Sequence, residues 1–173
     1  MNVVPNFCIE PCSSGDAEIV ASLARRIWAE AYSAIISQAQ IEHMLNQRFE
    51  RSVLAHELGG TRSRYWLAKC GQDAVGYASL QLERDVRGFK IQQLYVCQSV
   101  QRSGLGRALL KTMISEIVAR GGRKAWLTVN RKNARAIQFY ERNGFDNAGK
   151  MITDIGGGFV MDDFVMEKNL VEK

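Results

Sequence analysis

The 173-residue chain has no Cys-x-x-Cys pair, only two histidines, and no uninterrupted apolar run long enough to cross a bilayer. Each absence excludes something. With only His43 and His56 to complete a ligand set, Cys8, Cys12, Cys70 and Cys97 do not read as a zinc site, and no metal is expected. Four scattered thiols indicate a reducing compartment rather than a disulfide scaffold, and each is expected to act as a small buried hydrophobe. The first ten residues, Met-Asn-Val-Val-Pro-Asn-Phe-Cys-Ile-Glu, lack the basic and apolar regions of a secretory signal. A cytoplasmic protein without a membrane partner is therefore expected. Repeats, low-complexity tracts and Pro/Gly-rich linkers are missing too, so residues 1–173 read as one domain.

A hydrophobic content of 46% is enough to build a core. The net charge of +5 is unevenly spread. From Gln101 to Arg135, Arg102, Arg107, Lys111, Arg120, Arg123, Lys124, Arg131, Lys132 and Arg135 face a single acid, Glu116. Beyond Asp146 the balance turns acidic, with Asp154, Asp162 and Asp163 prominent. One region is suited to anions and another to cations, although such stretches are often only solvated faces.

Hydrophobic spacing gives the element order. Residues 6–11 read as a strand. Ser13-Ser14-Gly15-Asp16 reads as a capping box before a helix burying Val20, Leu23, Ala24, Ile27 and Trp28. Ser37-Gln38-Ala39-Gln40 opens a second helix, and a shorter one runs to Leu58. Tyr65–Cys70 and Ala74–Leu82 form a hairpin about Gly71-Gln72-Asp73, followed by a strand over Phe89–Cys97. Leu105–Arg120 is helical, Lys124–Val129 is a strand, and Asn133 caps a helix ending near Arg142. Phe145–Ile152 and Phe159–Glu167 close the chain as strands around a loop containing Asp154 and Gly156-Gly157-Gly158. Together these predict an α/β mixed sheet with helices on both faces.

The segment Leu94-Tyr95-Val96-Cys97-Gln98-Ser99-Val100-Gln101-Arg102-Ser103-Gly104-Leu105-Gly106-Arg107 carries the chemistry. A strand leads through a glycine loop into a helix whose first N–H groups have no intrahelical partner. Glycines let that backbone approach a phosphate, and Arg102 and Arg107 add charge, an arrangement suited to a pyrophosphate. A Walker loop would need Lys-Ser/Thr where Arg107-Ala108 stands, and a dinucleotide fingerprint would need glycine at Leu109. A plain tight turn stays open on the loop alone.

A second segment, Leu127 to Phe145, joins a strand to a helix ending in Gly144-Phe145. Three patterns then stand in order: Leu94-Tyr95-Val96, the Gln101–Gly106 loop, and Asn133-x-x-Ala136-x-x-Phe139-Tyr140-x-x-x-Gly144-Phe145. In this the chain resembles the GNAT superfamily of acetyl-coenzyme A-dependent N-acetyltransferases along nearly its whole length. The resemblance implies a mostly antiparallel sheet of about seven strands, splayed in the middle. It implies acetyl-CoA as co-substrate, held by Gln101, Arg102, Ser103, Gly104, Leu105, Gly106 and Arg107 at the pyrophosphate. Leu94, Tyr95 and Val96 would pair with the pantetheine, and Asn133, Ala136 and Tyr140 would lie near it. It also implies catalytic roles for the Val96 N–H, toward the thioester carbonyl, and for Tyr140, as general acid to the leaving thiolate. Asn133 is equally a plain N-cap, and Tyr140 taken alone a core tyrosine.

Many relatives carry a glutamate base on the strand that here reads Lys90-Ile91-Gln92-Gln93. A water relay to a carbonyl or distant acid is expected instead, with Glu30 and Glu83 as weaker choices. On the acceptor side the resemblance points to Trp28, Glu30, Tyr32 and Asp154, although Trp28 reads as readily as a core residue and Asp154 as part of an exposed acidic hairpin. The acidic C-terminal residues favour a small cationic amine, with a protein N-terminus or lysine as the rival acceptor. A non-catalytic acyl-CoA-binding module is the rival of another class, nucleic acid is not expected as a partner, and a homodimer is left open.

Overall fold

A computed structural model describes residues 6–171. The N-terminal residues read for a targeting signal lie partly outside them. The order is β1 (Phe7–Pro11), α1 (Ala17–Tyr32), α2 (Gln38–Arg48), α3 (Arg51–Gly59), β2 (Ser63–Cys70), β3 (Asp73–Gln81), β4 (Phe89–Val96), α4 (Leu105–Ala119), β5 (Lys124–Asn130), α5 (Ala134–Arg142), β6 (Asp146–Gly156) and β7 (Phe159–Asn169). The predicted caps form: the Ser13 N–H donates to the Asp16 carboxylate at 2.8 Å, and Ser37 Oγ accepts from the Gln40 N–H at 3.2 Å. One prediction is corrected. β6 runs past Ile152 through Asp154 to Gly156, so the expected loop shrinks to Gly157-Gly158, whose positive φ angles close a tight hairpin.

The seven strands lie in the order β1-β2-β3-β4-β5-β7-β6, and every neighbouring pair is antiparallel except β4 and β5. That parallel pair holds only at Phe89↔Ala125 and Lys90↔Trp126. Beyond Lys90 the ladder stops. The same stretch of β4 carries a bulge against β3, where Ser79 pairs with Gln93 but Leu80 pairs with Ile91, leaving Gln92 extra. An extra residue bends and twists a strand, and here the bend accompanies the departure of β4 from β5.

Two cores flank the sheet. On one face Leu105, Leu109, Met113 and Ile117 of α4 pack on Ile91, Leu127 and Val129. On the other, α1 and α2 bury Ile27, Trp28 and Leu45 against Tyr65, Leu67 and Tyr77. Burying side chains such as Met113 and Ile117, both 0% exposed, contributes about 1.5–3 kcal/mol each. These two layers clamp the sheet, and the β4–β5 gap is where they meet. No helix among the described residues is long and apolar enough to cross a membrane.

Candidate active site

The open edge of β4 is the first component. Cys97 N–H donates to the Val75 carbonyl at 2.8 Å, so the Gly76–Val96 pair is the non-hydrogen-bonded kind, with its main-chain groups turned outward. The Val96 N–H, and that of Leu94 two residues earlier, therefore face the gap. Gln101 reaches back to occupy the Val96 carbonyl at 3.3 Å. The Val96 N–H, in the preceding peptide, is left free and points where a ligand strand would add.

The loop after β4 is the second. Arg102 (φ 64) and Gly104 (φ 89) both adopt left-handed backbone, which turns successive amides toward one side. Ser103 Oγ donates to the Val100 carbonyl at 2.6 Å and fixes the turn. A Cβ at Gly104 would meet nothing within 4 Å, so the loop opens to solvent. Within the described residues, no acceptor pairs with the N–H groups of Gly104, Gly106 or Arg107. Arg102 and Arg107 are exposed beside them and form no ion pair there. Leu105 is buried, so its side chain anchors the helix start and only its backbone faces the site. Unpaired amides at a helix N-terminus flanked by two guanidiniums fit a pyrophosphate.

Tyr140 is the third. Its ring lies in the α4–α5 core against Phe139 and Phe145, with centroids 5.2 and 5.6 Å away. Burial, and then the nearby Tyr32 hydroxyl, push its own hydroxyl well above the ordinary phenol value. Tyr32 belongs to the opposite core. The two phenols, from opposite cores, lie close enough for their charges to interact. Asn133 caps α5, its Oδ1 accepting from Ala136 N–H at 3.1 Å, and Ala136 packs beneath.

The acceptor side differs from expectation in several residues. Trp28 is core: it is 3% exposed, donates to the Tyr77 hydroxyl at 3.2 Å and packs on Tyr32, Phe49 and Tyr95. Glu30 and Glu83 lie exposed on the surface, outside this cluster. Asp154 is exposed on β6 with a carboxylate oxygen accepting from Gly156 N–H at 2.8 Å. Asp162 is engaged bidentately by Arg131 at 2.8 and 3.0 Å. Tyr32 does reach the site, sharing a hydrogen bond of 3.0 Å with the Tyr95 hydroxyl. Of the cysteines, Cys8 is exposed rather than buried, because alternation places it on the outer face of edge strand β1.

A cavity of about 180 Å³ opens beside the gap, lined by Arg48, Glu57, Lys90, Gln92, Gln93 and Thr128. The β4 bulge puts Gln92 and Gln93 on the same face. Helix α2 is tied across this side to the hairpin tip: Gln40 donates to the Val160 carbonyl, and His43 and Gln47 bond the Ile155 carbonyl at 2.8 and 3.1 Å. Asp163 lies on the same face. It is 6% exposed, has an Oδ1 without a partner, and is pushed up to about 6 by burial, against the pull of the Thr128 hydroxyl.

Residues 23–145 match the model of the acetyltransferase (GNAT) family. The chain belongs to this family. It is an N-acetyltransferase of the acyltransferase class. An uncharacterised N-acetyltransferase of Mycobacterium tuberculosis is 28% identical over 156 residues, 90% of this chain and 99% of that one. The ribosomal protein bS18-alanine N-acetyltransferase of Salmonella typhimurium is 37% identical over 90 residues, 45% of this chain and 61% of that one. Among solved structures, the PaiA N-acetyltransferase of Thermoplasma acidophilum in complex with coenzyme A superimposes with a TM-score of 0.80 at 23% identity, covering 95% and 99% of the two chains. The ribosomal-protein-S18-alanine N-acetyltransferase of Escherichia coli gives 0.71 at 21%, covering 97% and 96%. These two likenesses bear on the fold.

Several residues of this candidate site were given no site role from sequence: Arg48, Glu57, Lys90 and Thr128, while Asp163 was read only as one of the acidic C-terminal residues. Asp163 had a usable signal. It shares strand parity with Val165, which is 1% exposed, so alternation alone turns it inward while Asp162 turns out. Arg48 and Thr128 carry no such signal, since their meeting depends on the packing of α2 over the splayed sheet.

Proposed function

We propose that this acetyltransferase moves the acetyl group of acetyl-CoA to a small primary amine within a ternary complex, with Tyr140 as general acid. The observation that carries this reading is the outward-facing Val96 N–H at the β4–β5 gap, with the amide-rich loop at its mouth; the buried Tyr140 phenol, near Tyr32, supports the acid role. The thioester supplies the activated acyl group. The Val96 N–H meets the carbonyl oxygen, where negative charge develops, and Gln101 steadies the end of the strand through the Val96 carbonyl. The strongly raised Tyr140 phenol stays protonated across the neutral range, as a donor to the departing sulfur must. The loop from Gln101 to Arg107 takes the pyrophosphate, and the Leu94–Val96 edge pairs with the pantetheine amides.

A cavity of about 180 Å³ roofed by α2 favours a small acceptor over a polypeptide. Its charge is mixed: Arg48 and Lys90 line it with Glu57, and Asp163 stands beside Thr128. The charges read from sequence pointed to a small cationic acceptor; an amine with a nearby anionic or polar group suits this lining better. The likeness to the bS18-alanine N-acetyltransferases favours a protein α-amine as the second reading. We further place the protein in the cytoplasm, on its four free cysteines, and treat residues 1–173 as one catalytic unit. Thiol release from acetyl-CoA, measured against panels of small amines and of peptides, tests these readings. Turnover on peptides alone would sink the small-acceptor version, and no turnover on either panel would leave only coenzyme binding.

A further inference from the structure

No carboxylate of β4 lines the gap, yet an ammonium must lose a proton before its nitrogen can attack. We propose that Asp163 is the proton acceptor for the incoming amine, with Gln93 holding the amine beside it. This rests on the transfer reading above and supplies the part that reading lacks.

Two buried acceptors stand without donors on the same face: Asp163 Oδ1 and Gln93 Oε1, in side chains that are each 6% exposed. Buried polar atoms are almost always paired, so two orphaned acceptors on one face of the sheet call for a donor. They flank Thr128, which lines the cavity with Gln93 and sits beside the Asp163 carboxylate. An ammonium carries three N–H donors and no acceptor, which matches this pair. Asp163 also lies on the catalytic line, since its charge reaches the Tyr32 hydroxyl, and Tyr32 in turn reaches Tyr140. The groups facing it are Lys90 of β4 and Arg48 of α2, which favour its ionised form, and Asp162 of β7, which opposes it.

The step balances. The ammonium gives one proton to Asp163, which passes it to solvent. The nitrogen lone pair forms the C–N bond, the C–S bond breaks, and the sulfur keeps the electron pair and takes the Tyr140 proton. The second nitrogen proton restores the phenol.

The test compares Asp163→Asn with the wild type on two acceptors: an alkylamine, protonated at neutral pH, and an alkoxyamine, already neutral there. The variant is expected to lose about 10²-fold or more on the alkylamine and only a few-fold on the alkoxyamine. Coenzyme affinity by calorimetry should stay unchanged. The wild-type alkylamine profile should rise through an apparent value near that of Asp163, a limb that Asp163→Glu keeps. Carbon NMR of the coenzyme-free wild type, labelled at aspartate carboxyls, should show one group titrating at about 6. Equal losses on both acceptors, or no carboxyl titrating above the ordinary range, overturn the proposal even if the variant folds poorly. A wild type that binds coenzyme but acetylates neither amine overturns the transfer reading itself, and this proposal with it.

Discussion

Asp163→Asn is expected to make the protein more stable near neutral pH while slowing its turnover of protonated amines. Asp163 is raised from 3.8 to about 6, so the folded state holds that proton more tightly than the unfolded chain does. Ionisation therefore costs the folded state stability. The contribution is fully present below about pH 4, is lost as pH climbs through about 6, and is gone above that. A shift of about two units corresponds to about 3 kcal/mol at most. Solvent screening of a carboxylate that is only partly shielded reduces this to about 2 kcal/mol. For a domain of this size that raises Tm by about 4–8 °C. An asparagine does not ionise, so the gain should appear at about pH 8 and vanish at about pH 4. Thermal unfolding at both pH values, on wild type and variant, measures it. A gain equal at the two, or a loss at the higher one, refutes the reasoning that a buried carboxylate is being held charged against its environment.

Three further outcomes are expected. Tyr140→Phe should lower kcat by about 10²–10⁴-fold with little change in coenzyme affinity, read by steady-state kinetics beside calorimetry. Arg107→Ala should weaken coenzyme binding and flatten its dependence on salt, since an exposed guanidinium acts through a screened field. Gly122→Ala should destabilise by about 1–3 kcal/mol in denaturant melts without altering turnover per folded molecule. A Cβ there would lie 2.8 Å from both the Ile117 carbonyl and the Phe89 ring, far from the gap.

The elements were legible because their signals are local. Ser37 with Gln40, and Asn133 with Ala136, cap helices through bonds spanning three residues, and such spacing is visible in a linear chain. The free β4 edge and the glycine loop were legible for the same reason: Val96, Gln101 and Gly104 fall within one short stretch whose backbone geometry follows from its local pattern. The acceptor side was not. Trp28 has the same aromatic character whether it walls a pocket or fills a core, and only its bond to Tyr77 and its contact with Phe49 assign it to the core. Asp162 and Asp163 are adjacent and chemically identical, yet one is held by Arg131 at the surface and the other is buried beside Thr128. The length of β6 was underestimated because its glycines suggested a loop, while pairing with β7 carries the strand through Asp154 to Gly156.

The ties from Gln40, His43 and Gln47 to the carbonyls of Val160 and Ile155 join positions more than a hundred residues apart. The proposed seat for the thioester, by contrast, lies within a single run from β4 to α5. On that proposal the roof over the acceptor cavity is assembled from segments remote in sequence, while its walls share the middle of the chain with acyl activation. Exchange of α2 together with the hairpin tip should redirect the enzyme to a different nucleophile without rebuilding the machinery that energises the acyl donor.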